Sequence, residues 1–98
     1  MIIKGDSLAQ KNGLTLYPLT SKEIAGNHFG VWVTTPDNPF KPHKHEQREI
    51  WFIMEGTALI TLDGEEHMVE AGDLVELPPW VEHGLRTEED AVTWICMG

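Results

Sequence analysis

The chain is poor in three things, and each shortage narrows what it can be. It has one cysteine, Cys96, among 98 residues. No disulfide can therefore close within the chain, and nothing marks an oxidising compartment. The expected role of that thiol is a small buried hydrophobe on the last strand. The chain also lacks any apolar run near 18 residues, and its start, Met-Ile-Ile-Lys-Gly-Asp, lacks the apolar core of a secretory signal. A soluble, cytoplasmic protein with no membrane partner is the expectation. Positive charge is scarce as well: seven basic residues against sixteen acidic ones give a formal net charge of −9. Such a chain repels polyphosphate backbones, so no nucleic-acid partner is expected. The acid is spread over Glu65, Glu66, Glu70, Asp73, Glu76, Glu82 and the run Glu88-Glu89-Asp90, as on a solvated surface.

No segment offers helical spacing with caps. What recurs instead is short β-branched and aromatic stretches, at 29–35, 57–62, 66–69, 73–77, 83–86 and 91–96, separated by turn signals every eight to twelve residues. Asp63-Gly64 is a strong hairpin turn, and Pro78-Pro79 ends a strand. Before residue 27 the signals are mixed, with a turn dipeptide at Asn12-Gly13 and a short strand at 14–17. The pattern is that of an all-β sandwich or barrel in a single domain, residues 1–98, burying only about 60 to 65% of its unfolded surface.

The chemistry concentrates in Pro42-His43-Lys44-His45-Glu46-Gln47-Arg48-Glu49. If this segment is extended, His43, His45 and Glu49 leave one face of it, Gln47 joins them, and Lys44 and Arg48 point away. Two imidazoles and a carboxylate do not complete a coordination shell, and His83 is the obvious source of a further nitrogen. Three clustered histidines and a carboxylate facing one cavity are costly unless something satisfies them together, which a metal does. His28 and His67 stand apart from this pattern and read as ordinary histidines. Beyond Glu49, alternation puts Trp51 and Ile53 on the ligand side. Ile50, Phe52 and Met54 fall on the other side, where an N-terminal strand or a second subunit must cover them.

Written as spacings, the chain shows His-x-His, three residues, Glu49, six residues, Gly56, and later Gly72, five residues, Pro78, four residues, His83. This resembles the two motifs of the cupin superfamily, the first at about 37–56 and the second at about 72–87. The chain departs from the family pattern at Asp37, Trp80 and Thr87. Of these Trp80 is the informative one: tryptophan takes a left-handed turn less cheaply than glycine, so the Pro78-Pro79-Trp80 turn is expected to be built differently, with the indole at the pocket mouth. The resemblance implies an antiparallel double-stranded β-helix, the jelly-roll cupin barrel, holding one divalent transition metal on His43, His45, Glu49 and His83. Iron, manganese, nickel, cobalt and zinc all remain open. It also implies a homodimer, which the apolar stripe Ile50, Phe52 and Met54 would help to hold.

A divalent ion with one carboxylate leaves a net +1, which a small anionic metabolite chelating through two oxygens would neutralise. The expected function is a metal-dependent enzyme, with oxygenation first and isomerase or lyase chemistry next. Gln47, Trp51 and Trp80 are the candidate substrate contacts. The alternative is a metal or small-ligand binding module or sensor without turnover.

Overall fold

The computed structural model describes residues 1–11, 14–15, 17–18 and 29–98. Its strands are β1 (Ile2–Ile3), β2 (Gln10–Lys11), β3 (Leu14–Thr15), β4 (Phe29–Thr34), β5 (Phe40–His43), β6 (Glu49–Glu55), β7 (Thr57–Leu62), β8 (Glu65–Glu70), β9 (Leu74–Leu77), β10 (His83–Arg86) and β11 (Val92–Met97). A 3₁₀ turn, Gly5–Ser7, is the one helical piece among the described residues. Every ladder is antiparallel. One sheet runs β1-β9-β6-β11-β4, a second runs β5-β10-β7-β8, and β2 pairs with β3 as a small ribbon. The all-β jelly-roll reading therefore holds. The expected turn dipeptide Asn12-Gly13, Leu16 and His28 lie outside the described residues.

Local chemistry sets the hairpins. Asp63 and Gly64 both take positive φ, 53° and 85°, the twist that lets a two-residue turn join β7 to β8 without splaying them. Alternation then sorts the side chains. Trp51, Ile53, Ile60, Val75, Val92 and Trp94 are fully buried between the sheets and form the centre of the core.

A second, smaller cluster lies on the outer face of the five-stranded sheet. Ile3, Ile50 and Leu74 are buried there, with Leu8, Tyr17 and Phe52 packed against them. Tyr17 meets Phe52 edge-on at 5.7 Å and donates its hydroxyl to the Gly72 carbonyl at 2.5 Å. Asp73, almost wholly buried, pins the same segment by accepting from Lys4 Nζ, from Gly5 N at 3.1 Å and from Glu70 N at 2.7 Å. Of the two covers open for the outer face of β6, the N-terminal one lies over Ile50 and Phe52, whereas Met54 stays 44% exposed.

Candidate metal centre

The site forms where the two sheets meet at one end. His43 closes β5 and His83 opens β10, and the two are direct cross-strand partners in the four-stranded sheet. Glu49 opens β6 in the other sheet, opposite Leu77 of β9. The extended strand expected to carry His43, His45 and Glu49 on one face is therefore not present. The chain must cross from one sheet to the other between His43 and Glu49, and it does so through a bend at Glu46 and Gln47. The bend breaks the alternation that put Gln47 beside His45. Gln47 is exposed on the crossing loop.

The crossing nevertheless converges the ligand atoms. One nitrogen from each of His43, His45 and His83 lies within 4.8 Å of the others. The ring centroids stand 5.4 Å apart for His43 and His45, 4.5 Å for His43 and His83, and 4.8 Å for His45 and His83. Glu49 Oε1 lies 3.5 Å from His45 Nε2 and 3.7 Å from His83 Nε2. Donors bound at ~2.1 Å to one ion stand roughly 3 to 3.5 Å apart; the contact of Glu49 with His45 already has that separation, and the others are wider, so the side chains would draw inward around a cation.

Hydrogen bonding decides which nitrogens are bare. His83 Nδ1 donates to the Val81 carbonyl at 2.7 Å, so the proton sits there and Nε2 presents a lone pair. His43 Nδ1 likewise lies 3.2 Å from the Lys41 carbonyl, leaving Nε2 free. His83 Nε2 and His45 Nδ1 are buried without any hydrogen-bond partner. Buried polar atoms are rarely left so, and the bare His83 Nε2, facing Glu49 within the histidine cluster, fits a divalent cation. Burial lowers the His83 pKa, and the charges of His43 and His45 push the same way, against the Val81 bond and Glu49. The neutral ring is the form that ligates.

Glu49 is held from behind. Trp51 Nε1 donates to its Oε1 at 3.2 Å. Burial pushes the Cys96 thiol up to about 12; the Glu49 charge and a hydrogen bond to that carboxylate add to the rise, while the Trp51 indole opposes it. Cys96 therefore stays protonated and donates, a role the expectation of a plain buried hydrophobe omitted. Trp51 was legible as a neighbour, two residues from Glu49 on the same face. Cys96 was not, because its place opposite Trp51 depends on the β6 to β11 register. Trp51 is fully buried, with its ring 5.2 Å from His83, so it backs the site and does not line an open pocket. Phe40 and Trp94 continue this wall: Phe40 lies 4.8 Å from His43 and 5.3 Å from both Trp51 and Trp94.

The expectation for the Pro78-Pro79-Trp80 turn is also corrected. Trp80 itself takes φ +64°, a left-handed conformation. Its N–H donates to the His45 carbonyl at 2.8 Å, a bond that joins the two motifs and offsets the steric cost. Its indole is 61% exposed. His67 is exposed and pairs at 3.8 Å with Glu65, away from the cluster. Two surface grooves, of about 590 and 240 Å³, contain none of the three clustered histidines. Among the described residues no helix is long and apolar enough to cross a membrane.

Comparison with known proteins adds the family. A family model described as "Cupin domain" matches residues 30–98. The chain is 35% identical over 56 residues to the dimethylsulfoniopropionate lyase DddW of Ruegeria pomeroyi, covering 57% of this chain and 37% of that protein. It is 31% identical over 64 residues to gentisate 1,2 dioxygenase 1 of Aquipseudomonas alcaligenes, covering 64% of this chain and 18% of that protein. The chain thus spans well under half the length of these relatives. A Cupin 2 conserved barrel domain protein from Salinispora arenicola superposes with a TM-score of 0.62 at 27% identity, over 91% of this chain and 77% of the other.

Proposed function

The chain belongs to the cupin family, and on that premise we propose that it is a metal-dependent enzyme acting on a small anionic metabolite, with oxygenation as its reaction class. The observation that carries the metal is the buried, partnerless Nε2 of His83, which faces Glu49 Oε1 at 3.7 Å in a cluster of three histidines whose nitrogens lie within 4.8 Å of one another. His43, His45, His83 and Glu49 are the residues that would hold one divalent transition ion. When bound, that ion supplies Lewis-acid polarisation of a chelating anion or, if redox-active, electron transfer to O₂.

The protein's own residues supply the rest. Val81 fixes the His83 tautomer, and Trp51 and Cys96 orient the Glu49 carboxylate. His43 is exposed whereas His83 is buried, so substrate enters from the His43 side. Lys41, Lys44 and Arg48, three of the seven basic residues of a chain of charge −9, lie within five residues of His43, so basic charge concentrates in this segment, where it favours an anionic substrate. Gln47 and Trp80 on the exposed rim are the proposed substrate contacts. Backbone strain in a bulky exposed residue supports that role for Trp80, since such strain collects at functional positions. Oxygenation is favoured over isomerase or lyase chemistry by the likeness to gentisate 1,2 dioxygenase, while the likeness to DddW keeps lyase chemistry next.

A second reading, a metal that steadies the barrel or orients a ligand without turnover, draws support from the position of the two grooves away from the histidines. Elemental analysis of protein purified without chelators, followed by oxygen-uptake assays on hydroxylated and simple carboxylates, separates the two. Bound iron with uptake is expected. Bound metal with no uptake and no consumption of any carboxylate favours the second reading, and failure to bind any divalent metal overturns both.

A further inference from the structure

The space beside the clustered histidines is filled, and one ring does much of the filling. Phe40 stands on β5 opposite Leu85 of β10 and packs against the main core. It lies edge-on to Trp32, Trp51 and Trp94 at 5.2, 5.3 and 5.3 Å, and 4.8 Å from His43. Aromatic rings in contact stand about 4.5 to 7 Å apart between centroids, so spacings near 5 Å leave no gap for a further ring. Phe40 also borders open space: it is only half-buried, and it lines the smaller groove together with Lys41 and Pro42. Trp51 and Trp94, by contrast, are fully buried on the inner strands β6 and β11. Trp32 is 42% exposed, but it is Phe40 that touches His43. We propose that Phe40 is the specificity-determining residue of the site: its ring occupies the room beside His43 that a ring-bearing substrate would need, and so limits the site to acyclic anions of a few carbon atoms.

This limit rests on the reading of His43, His45, Glu49 and His83 as holders of a metal. An anion that chelates such an ion brings its carbon skeleton beside His43, the exposed member of the cluster. A short acyclic skeleton can turn away from Phe40 toward solvent. A ring fused to the chelating atoms cannot, because it is rigid and lies in the chelate plane, and its clash with Phe40 is what rejects it. The ligands themselves are placed by other contacts. His43 pairs with His83 across the β5 to β10 ladder. Beside that pair Gly84 admits Pro42 so closely that a Cβ on Gly84 would stand 2.8 Å from Pro42 N. β5 is thus held tightly on β10 at the ligand end, whereas at the Phe40 end the register of the ladder slips. Substitution of Phe40 therefore changes the room beside the site and leaves His43 where it is.

The test compares malonate with salicylate, probes that each close a six-membered chelate and differ chiefly in the ring. Their binding to the Co(II)-loaded full chain is read from the visible spectrum of the metal. Wild type should bind malonate at least ~10-fold more tightly than salicylate, within the range over which pocket shape discriminates. Phe40→Ala and the milder Phe40→Leu should each cut that preference by ~10-fold, so a variant that failed to fold would leave the other to decide. A second readout needs no metal. Phe40→Ala removes a phenyl ring, and an apolar void of about 150 Å³ holds benzene, so metal-free Phe40→Ala should take up benzene, seen by NMR, and metal-free wild type should not. Equal binding of the two probes by wild type, or binding of neither, overturns the proposal. So does a preference unchanged in both variants, or a folded Phe40→Ala that takes up no benzene. If Co(II) does not bind at all, the metal reading falls and the substrate limit with it, whereas benzene uptake still reports whether Phe40 fills the space.

Discussion

His43 and His83 sit opposite one another at a single ladder position, yet they meet the site in different states. His83 is almost wholly buried, its proton committed to the Val81 carbonyl and its pKa lowered by burial. His43 is exposed and holds its carbonyl partner more loosely, at 3.2 Å. The difference teaches that the histidines of one cluster need not be alike: one can be built into the core with its tautomer fixed while its neighbour stays at the surface. The buried one ties the site to the stability of the fold, and the exposed one does not.

The largest expected effect breaks this comparison at its buried end. His83→Ala should purify without metal and, even against chelator-treated wild type, lose about 2 to 3 kcal/mol of stability in urea melts, because it empties a fully packed position. His43→Ala should also lose metal, by more than the ~10 to 100-fold that a supporting partner is worth, yet leave metal-free stability within about 0.5 kcal/mol. Equal stability losses in the two variants would mean that the burial contrast has no energetic content.

Acid sharpens the same contrast. The folded-state pKa of His83 lies below the unfolded value of about 6.5. Between the two values the unfolded chain binds the proton and the folded chain does not, so stability rises with pH in that window and is lost as pH falls through it. Metal-free wild type should therefore be less stable at pH 5 than at pH 7.5, and His43→Ala should keep that dependence while His83→Ala flattens it. Metal retention against a chelator should fall below pH ~6 for the same reason, as protons compete for the imidazoles.

Smaller effects probe what stands behind and in front of the ligands. Trp51→Phe keeps an aromatic ring in the core but removes the indole donor to Glu49, and it should weaken metal binding by ~10-fold, read by competition titration. Trp80→Gly relieves a left-handed tryptophan and should raise stability by up to about 1 kcal/mol while weakening ligand binding. A Trp80→Gly variant that melts earlier than wild type would show that the indole serves the fold and not a ligand.

These residues also mark where reading the sequence stops. His43, His45, Glu49 and His83 could be named from spacing, because the strands and turns around them are written in local alternation and in dipeptides such as Asp63-Gly64. The way they assemble could not be read. An extended 43–49 segment is the simplest guess from parity, but parity cannot report that His43 and Glu49 belong to different sheets. Trp80 shows the complementary error. Propensity argued against a left-handed tryptophan, and a single tertiary hydrogen bond to His45 overrode it.

What the sequence determined by itself was the set of candidate ligands, the run of short strands and the acidic net charge. All three are fixed by residue type and by separations of a few positions, over which backbone geometry is periodic. What only the tertiary structure decided was that His83 faces Glu49, that Cys96 steadies that carboxylate, and that the N-terminal segment covers Ile50 while Val31 and Phe29 are left bare. Each rests on contacts between distant parts of the chain, as when Lys4 reaches Asp73 across 69 positions. Register and cover of that kind come from the packing of the whole molecule, which no local pattern encodes.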